Sequence, residues 1–376
     1  MSLKVLSRFP GGNAAAISVD ASTDIPEVSF ASDPCGGSEA LWFHFRLTES
    51  EPDPAKQGKV RLTWTMVDNN RGPDFTTCIP VICGPNHLWT RLKQGDESRT
   101  PDGLRQVSWL IPHPTPTVDV AFCFPFGPPD LDSLLSKSKD YWQSATIGLS
   151  QGARRMTRVF NTMGTSGGTQ PGILLLARQH AGETPGSWVI DGFLRHWALM
   201  KKGGYVIWAY PMAEIDGVMD GHYGRGGFPC DMNTAWGDPP ARHECLVLKN
   251  DIARWKERCK PALAIDLHCP GAGEREGVYA VVNGDATDAL TAEETKWSNI
   301  IKTELQAEYA AAEFRRPDRH SARPGTDFAS FMRGTHGIPT LALNIPYSLV
   351  GTNVLTQKSY REIGQRIAAA VLKRKG

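Results

Sequence analysis

Three features of this 376-residue sequence predict an α/β protein: a mixed, largely parallel sheet covered by helices, preceded by an antiparallel β-sandwich. The chain is longer than one hydrophobic core usually supports, so two domains are expected. Up to residue 122, short alternating apolar runs are broken by Pro, Gly, Asp and Asn clusters, the pattern of strands and turns. Beyond that point, near-continuous apolar runs alternate with helical stretches, as in a parallel sheet covered on both faces.

In chain order, residues 41–46, 60–66 and 118–122 read as sandwich strands, with Trp42, Phe43, Phe45 and Trp64 spaced as core residues. The stretch Phe124-Pro-Phe-Gly-Pro-Pro-Asp130 breaks regular structure and precedes a helical pattern over 131–142, which puts the domain division at 1–123 and 124–376. Buried strands are expected at 172–177, 205–210, 262–267 and 340–344. Helices are expected at 185–200, 243–260, 293–312 and 358–374. In such sheets ligands bind beyond the carboxyl ends of the strands.

Bulk properties exclude several function classes. Lys plus Arg total 41 against 40 Asp plus Glu, a formal charge of +1, which gives no electrostatic reason to expect nucleic acid or an anionic membrane as partner. A small or peptide-like ligand fits better. The first residues lack the apolar run of a signal peptide, and no segment reaches the roughly 18 apolar residues of a membrane helix. The eight cysteines are scattered without C-x-x-C spacing, as reduced thiols are in a cytoplasm. These observations predict a cytoplasmic protein.

One constellation carries chemistry. The apolar run ending at Ala177 leads through Arg-Gln-His180-Ala-Gly-Glu183 into a helix that Pro185 helps to start, so His180 sits at a strand's carboxyl end and Glu183 three residues on. A second apolar strand ends at His268, on the same rim of the sheet. Two imidazoles and a carboxylate with an open fourth position form the ligand set of a catalytic zinc site. Each part also has a plainer reading. A Glu opening a helix complements its dipole, and a lone His is satisfied by hydrogen bonds.

Around these residues the chain resembles the zinc carboxypeptidase superfamily, specifically its cytosolic-carboxypeptidase-like branch, in which a small β-sandwich precedes the catalytic domain. The resemblance rests on Phe124 to Leu131, Ile147 to Arg154, Ala177 to Trp188, Pro211-Met-Ala-Glu-Ile-Asp-Gly-Val218, Asp231-Met-Asn-Thr234 and Asp266-Leu-His-Cys-Pro270. It implies one Zn2+ ion held by His180, Glu183 and His268. It makes Asp231 the carboxylate that braces the first zinc histidine; as a residue type, Asp231 is equally a turn former. It turns Asn233 toward the substrate carboxylate or the developing oxyanion, the alternative being a loop cap.

Three departures stand out. Thr234 occupies the place of the arginine that clamps a substrate's terminal carboxylate, so the bidentate fork is gone. The arginine that polarises the scissile carbonyl has no clean match; Arg225 is a nearby substitute, or else a solvated loop charge. Asn344 stands where the catalytic glutamate should be, and an amide orients a water without accepting its proton. Glu214, Glu274 and Glu276 are possible replacement acids, and the arginine-rich stretch 313–323 a possible new anion clamp; each is equally an ordinary surface or loop charge. The sequence therefore predicts a zinc metallohydrolase acting on a peptide or amide bond. It leaves open a deacylase or amidase, a zinc-binding pseudoenzyme recognising a peptide without turnover, and an interaction protein without metal.

Overall fold

The computed structural model describes residues 3–49, 58–66, 75–138, 140–200, 203–227, 229–282, 288–317 and 326–374. Residues 318–323 of the arginine-rich stretch lie outside the described residues. Ten strands before residue 122 form two five-stranded sheets. Phe30 of one sheet packs edge-on against Phe45 of the other, ring centroids 4.7 Å apart, and Phe43 contacts both Phe30 and Trp64 across the gap. This aromatic layer is fully buried. The sandwich is not wholly antiparallel, because Glu27–Ala31 pairs parallel with Lys59–Thr65.

The eight-stranded sheet has the parallel strands Val206–Tyr210, Pro171–Ala177, Lys260–His268 and Thr340–Asn344 side by side at its centre. Their burial on both faces matches their unbroken apolar sequences. The helix Thr184–Met200 covers one face and packs along Gln357–Lys373. The helix His243–Arg258 contacts both the Lys260–His268 strand and the edge strand Gln143–Leu149. Among the described residues no helix is long and apolar enough to cross a membrane.

Several edges depart from expectation, each for a local reason. The helix expected at 131–142 runs instead over Pro128–Lys137. Proline is tolerated in a first helical turn, and the Asp130 carboxylate accepts the Gly127 amide at 3.0 Å. The helix expected at 293–312 begins at Ala289, behind an Asp288 cap, and ends at Tyr309; the chain then continues as the strand Ala310–Pro317. The antiparallel pair Gln143–Leu149 and Arg155–Phe160, and the strand Val278–Val282, were not anticipated. These strands lie to the outside of the parallel core; polar residues dilute the apolar signal in Gln143–Leu149 and Arg155–Phe160, whereas Val278–Val282 is apolar but only five residues long.

Candidate metal centre

His180 follows the Pro171–Ala177 strand, Glu183 directly precedes the Thr184–Met200 helix, and His268 is the last residue of the neighbouring parallel strand. The turn between His180 and Glu183 is compact. Arg178, in the left-handed region at φ +65°, folds back so that its Nε donates to the Ala181 carbonyl at 2.5 Å. Its Nη1 donates to Phe126 O at 3.1 Å, which ties the proline-rich junction to this turn. The Gly182 amide donates to Tyr223 O at 2.7 Å, and a Cβ at Gly182 would come within 2.6 Å of the Tyr223 ring. No side chain fits there.

Three ligand atoms, one each from His180, Glu183 and His268, lie within 4.8 Å of one another, and all three residues are buried. His180 Nδ1 is 2.9 Å from Glu183 Oε1, and His268 Nδ1 is 3.1 Å from Glu183 Oε2. Each ring presents its other nitrogen to a second carboxylate: His180 Nε2 to Asp231 Oδ1 at 2.9 Å, His268 Nε2 to Asp266 Oδ2 at 2.9 Å. An ionised carboxylate only accepts, so each of these four ring nitrogens must offer a proton or share a cation with the oxygen it faces. A neutral imidazole carries one proton; with it on Nε2, the Nδ1 lone pair faces Glu183 and is balanced only by an added proton or by one metal ion. The donor set fits a metal with nitrogen and oxygen preference.

Electrostatics at the centre agree. Burial disfavours charge on the His180 ring, yet Glu183 and Asp231 hold it above the ordinary imidazole value. Burial likewise opposes charge on His268, where Asp266 prevails and raises it further. Burial would raise Glu183, but His180 and Arg225 keep it well below the usual carboxylate range. Asp231, against its own burial, is pulled down to about 2 by His180 and by the amides of Gly226 and Asn233.

The remaining residues singled out from sequence fall around this centre. Arg225 donates from Nε and Nη2 to Glu183 Oε1 at 3.2 and 3.0 Å, and from Nη2 to Cys269 O at 2.5 Å. It is bonded to the centre rather than solvated. Asn344 lies beside His268, its register partner on the adjacent strand, and is buried. Asp231 also accepts the Asn233 amide at 2.8 Å, so one carboxylate caps the Met232–Thr234 turn and faces His180. The Thr234 hydroxyl donates back to Asp231 O at 3.0 Å.

The three candidate replacement acids are held by arginines. Glu214 accepts from Arg242 Nη2 at 2.9 Å. Glu274 and Glu276 share Arg316, at 3.5 and 2.5 Å. Arg316 itself lies over the Tyr279 ring, 4.1 Å from its centroid.

Three residues at the centre escaped the sequence reading. Asp266 is two positions before His268 on one strand, so both side chains share a face; that spacing was a readable signal. Gln179, fully buried, donates to Asp266 Oδ2 at 2.7 Å. Glu39, from the loop between the strands Glu27–Ala31 and His44–Glu49, stands 3.8 Å from Arg225 Nη1. No local sequence feature announces Gln179 or Glu39.

No family model matches the sequence. Over its whole length the fold is similar to the metallo-carboxypeptidase from Burkholderia cenocepacia, with a TM-score of 0.79, 16% identity, and coverage of 99% of this chain and 98% of that one. It is similar also to the metallo-carboxypeptidase from Pseudomonas aeruginosa in complex with (2-guanidinoethylmercapto)succinic acid, at TM-score 0.75, 16% identity, and 99% and 98% coverage. The fold is thus that of a metallocarboxypeptidase.

Curated relatives narrow the class. Mouse cytosolic carboxypeptidase 3 is 25% identical over 305 residues, which is 73% of this chain and 29% of that protein. Human cytosolic carboxypeptidase 6 is 26% identical over 280 residues, 67% of this chain and 54% of that protein. In sequence the chain is similar to these cytosolic carboxypeptidases, and in fold to metallo-carboxypeptidases. It spans only about a third to a half of the length of these relatives.

Proposed function

We propose that the protein is a zinc-dependent hydrolase that cleaves a peptide or amide bond, with one Zn2+ on His180 Nδ1, His268 Nδ1 and the Glu183 carboxylate. The observation that carries this reading is the pair of Nδ1 atoms turned to opposite oxygens of one buried carboxylate, with both Nε2 atoms anchored on Asp231 and Asp266. A zinc ion there would lower the pKa of a water to about 7 and polarise a carbonyl. Asp231 and Asp266 fix the two ring tautomers. Asn233 hydrogen-bonds the substrate, and Asn344, beside His268, orients the attacking water through its amide. Arg225 aligns Glu183 and presents its remaining N–H groups toward the carbonyl. Domains 1–123 and 124–376 divide the chain at the proline-rich junction, a reading supported by the sheets of the first part ending at Ala121. The cytosolic names of the relatives support a cytoplasmic location.

Thr234 lacks the fork for a terminal carboxylate, which favours an amide with no free carboxylate beside the scissile bond over a conventional carboxypeptidase substrate. Asn344 favours a second reading: a zinc-binding pseudoenzyme that holds a peptide without turnover.

Metal analysis of purified protein, alone and as Glu183→Ala, paired with a panel of peptides and acyl-amino acids, tests both. About one zinc per chain, lost in the variant with the fold retained by circular dichroism, together with turnover, is the expected result. Bound zinc without turnover selects the pseudoenzyme. A parent chain that takes up no zinc refutes the metal site.

A further inference from the structure

Gln179 sits between Asp266, which braces His268, and Asn233, the residue assigned above to substrate, and its amide has only one orientation. Trp236 Nε1, which can only donate, lies 2.6 Å from Gln179 Oε1, so the oxygen of the amide is committed there. The amine end is left to donate, to Asp266 Oδ2 at 2.7 Å and to Asn233 Oδ1 at 3.3 Å. Gln179 Nε2 and His268 Nε2, 3.4 Å apart, are two donors converging on the same Asp266 oxygen. Gln179, Trp236 and Asp266 are all buried, so water cannot replace a lost partner at low cost.

Two consequences follow from that geometry. Asp266 is held from a second side while it accepts from His268 Nε2, which keeps the His268 Nδ1 lone pair turned to Glu183. Asn233 has its carbonyl oxygen fixed on Gln179, so its Nδ2 group must point the other way. We infer that Gln179 is a positioning residue that couples the metal centre to the substrate amide, through one oriented side chain reaching Asp266 and Asn233. This rests on the zinc reading above and adds to it the residue that joins its two halves.

Gln179→Met keeps the length of the side chain and removes both donors. Zinc affinity of the full-length protein, measured by competition with a chromophoric chelator, is expected to weaken about 10 to 100-fold. The metal-free variant keeps its circular dichroism. Trp236→Phe keeps an aromatic ring but frees the amide to flip, and is expected to weaken zinc in the same direction by less. Because the indole acts here through Gln179, Trp236→Phe is expected to cost no further zinc affinity in the Gln179→Met background. A purely structural role would make the two losses add.

Parental zinc affinity in Gln179→Met overturns the inference, as do additive losses in the double variant. If Gln179→Met does not fold, parental affinity in Trp236→Phe overturns it instead. A parent that binds no zinc removes the metal reading itself, a result seen in the same titration before any variant is compared.

Discussion

The two halves of the centre differ in how much of the expected chemistry they keep. On the metal side, His180, Glu183 and His268 converge: both Nδ1 atoms meet Glu183, the Nε2 atoms meet Asp231 and Asp266, and the Glu183 oxygens also accept from Arg225 and the Cys269 amide. On the proposed proton and substrate side, Asn344 and Thr234 stand where the resemblance implies an acid and a cation, and the nearby glutamates are tied to Arg242 and Arg316. Side chains that hold a metal must satisfy geometry and charge together, so they tolerate little change. Groups that move a proton or select a substrate can change while the fold and the metal stay. The first half defines what the centre holds; the second decides how fast, and on what, it acts.

The sharpest way to break that contrast is to restore an acid. Asn344→Glu puts a carboxylate beside His268, and general acid/base assistance is typically worth about 10² to 10⁴ in rate. Peptide or acyl-amino acid hydrolysis is expected to rise by that order while zinc content stays unchanged. No gain would show that the substrate side, and not the missing base, limits turnover.

A smaller effect is expected on the metal side. Asp231→Asn removes the acceptor that fixes the His180 tautomer, and zinc affinity should fall about 10 to 100-fold, read by chelator competition. An unchanged affinity would make Asp231 only the cap of its turn.

The smallest effect concerns Glu214, close to the centre but outside it. Its amide donates to Arg178 O. Burial raises the Glu214 carboxyl from 4.5 to about 7, against the pull of Arg242. A carboxyl whose folded value exceeds its unfolded value favours the fold while protonated and opposes it once ionised. Its contribution is therefore lost as pH rises from 4.5 through about 7. Glu214→Gln should flatten the decline of the thermal midpoint across that window. An identical pH profile in the variant would show that Arg242 already neutralises the ionised form.

Much of the fold was legible because buried parallel strands and their helices write long, uniform patterns. The strand Thr340–Asn344 has the bounds its sequence suggested, and Pro171–Ala177 starts one residue earlier than expected. The half-exposed strands outside the parallel core left no such pattern, and Gln143–Leu149 and Arg155–Phe160 went unread. Arg225 could be taken for a loop charge, since nothing near it in sequence shows the Glu183 carboxylate it meets.

By itself the sequence determined the strands of the parallel core, and hence that His180 and His268 lie at carboxyl ends on one rim, because strand period follows from local apolar patterning; that the two strands are neighbours was decided by the sheet. It determined Glu183 too, three residues along from His180. Only the tertiary structure decided that Gln179 joins Asp266 to Asn233, that Glu39 arrives from an amino-terminal loop, and that Asn344 lies in register beside His268. Those contacts join segments tens to hundreds of residues apart, and their distances are fixed by how whole sheets pack, which no local pattern records.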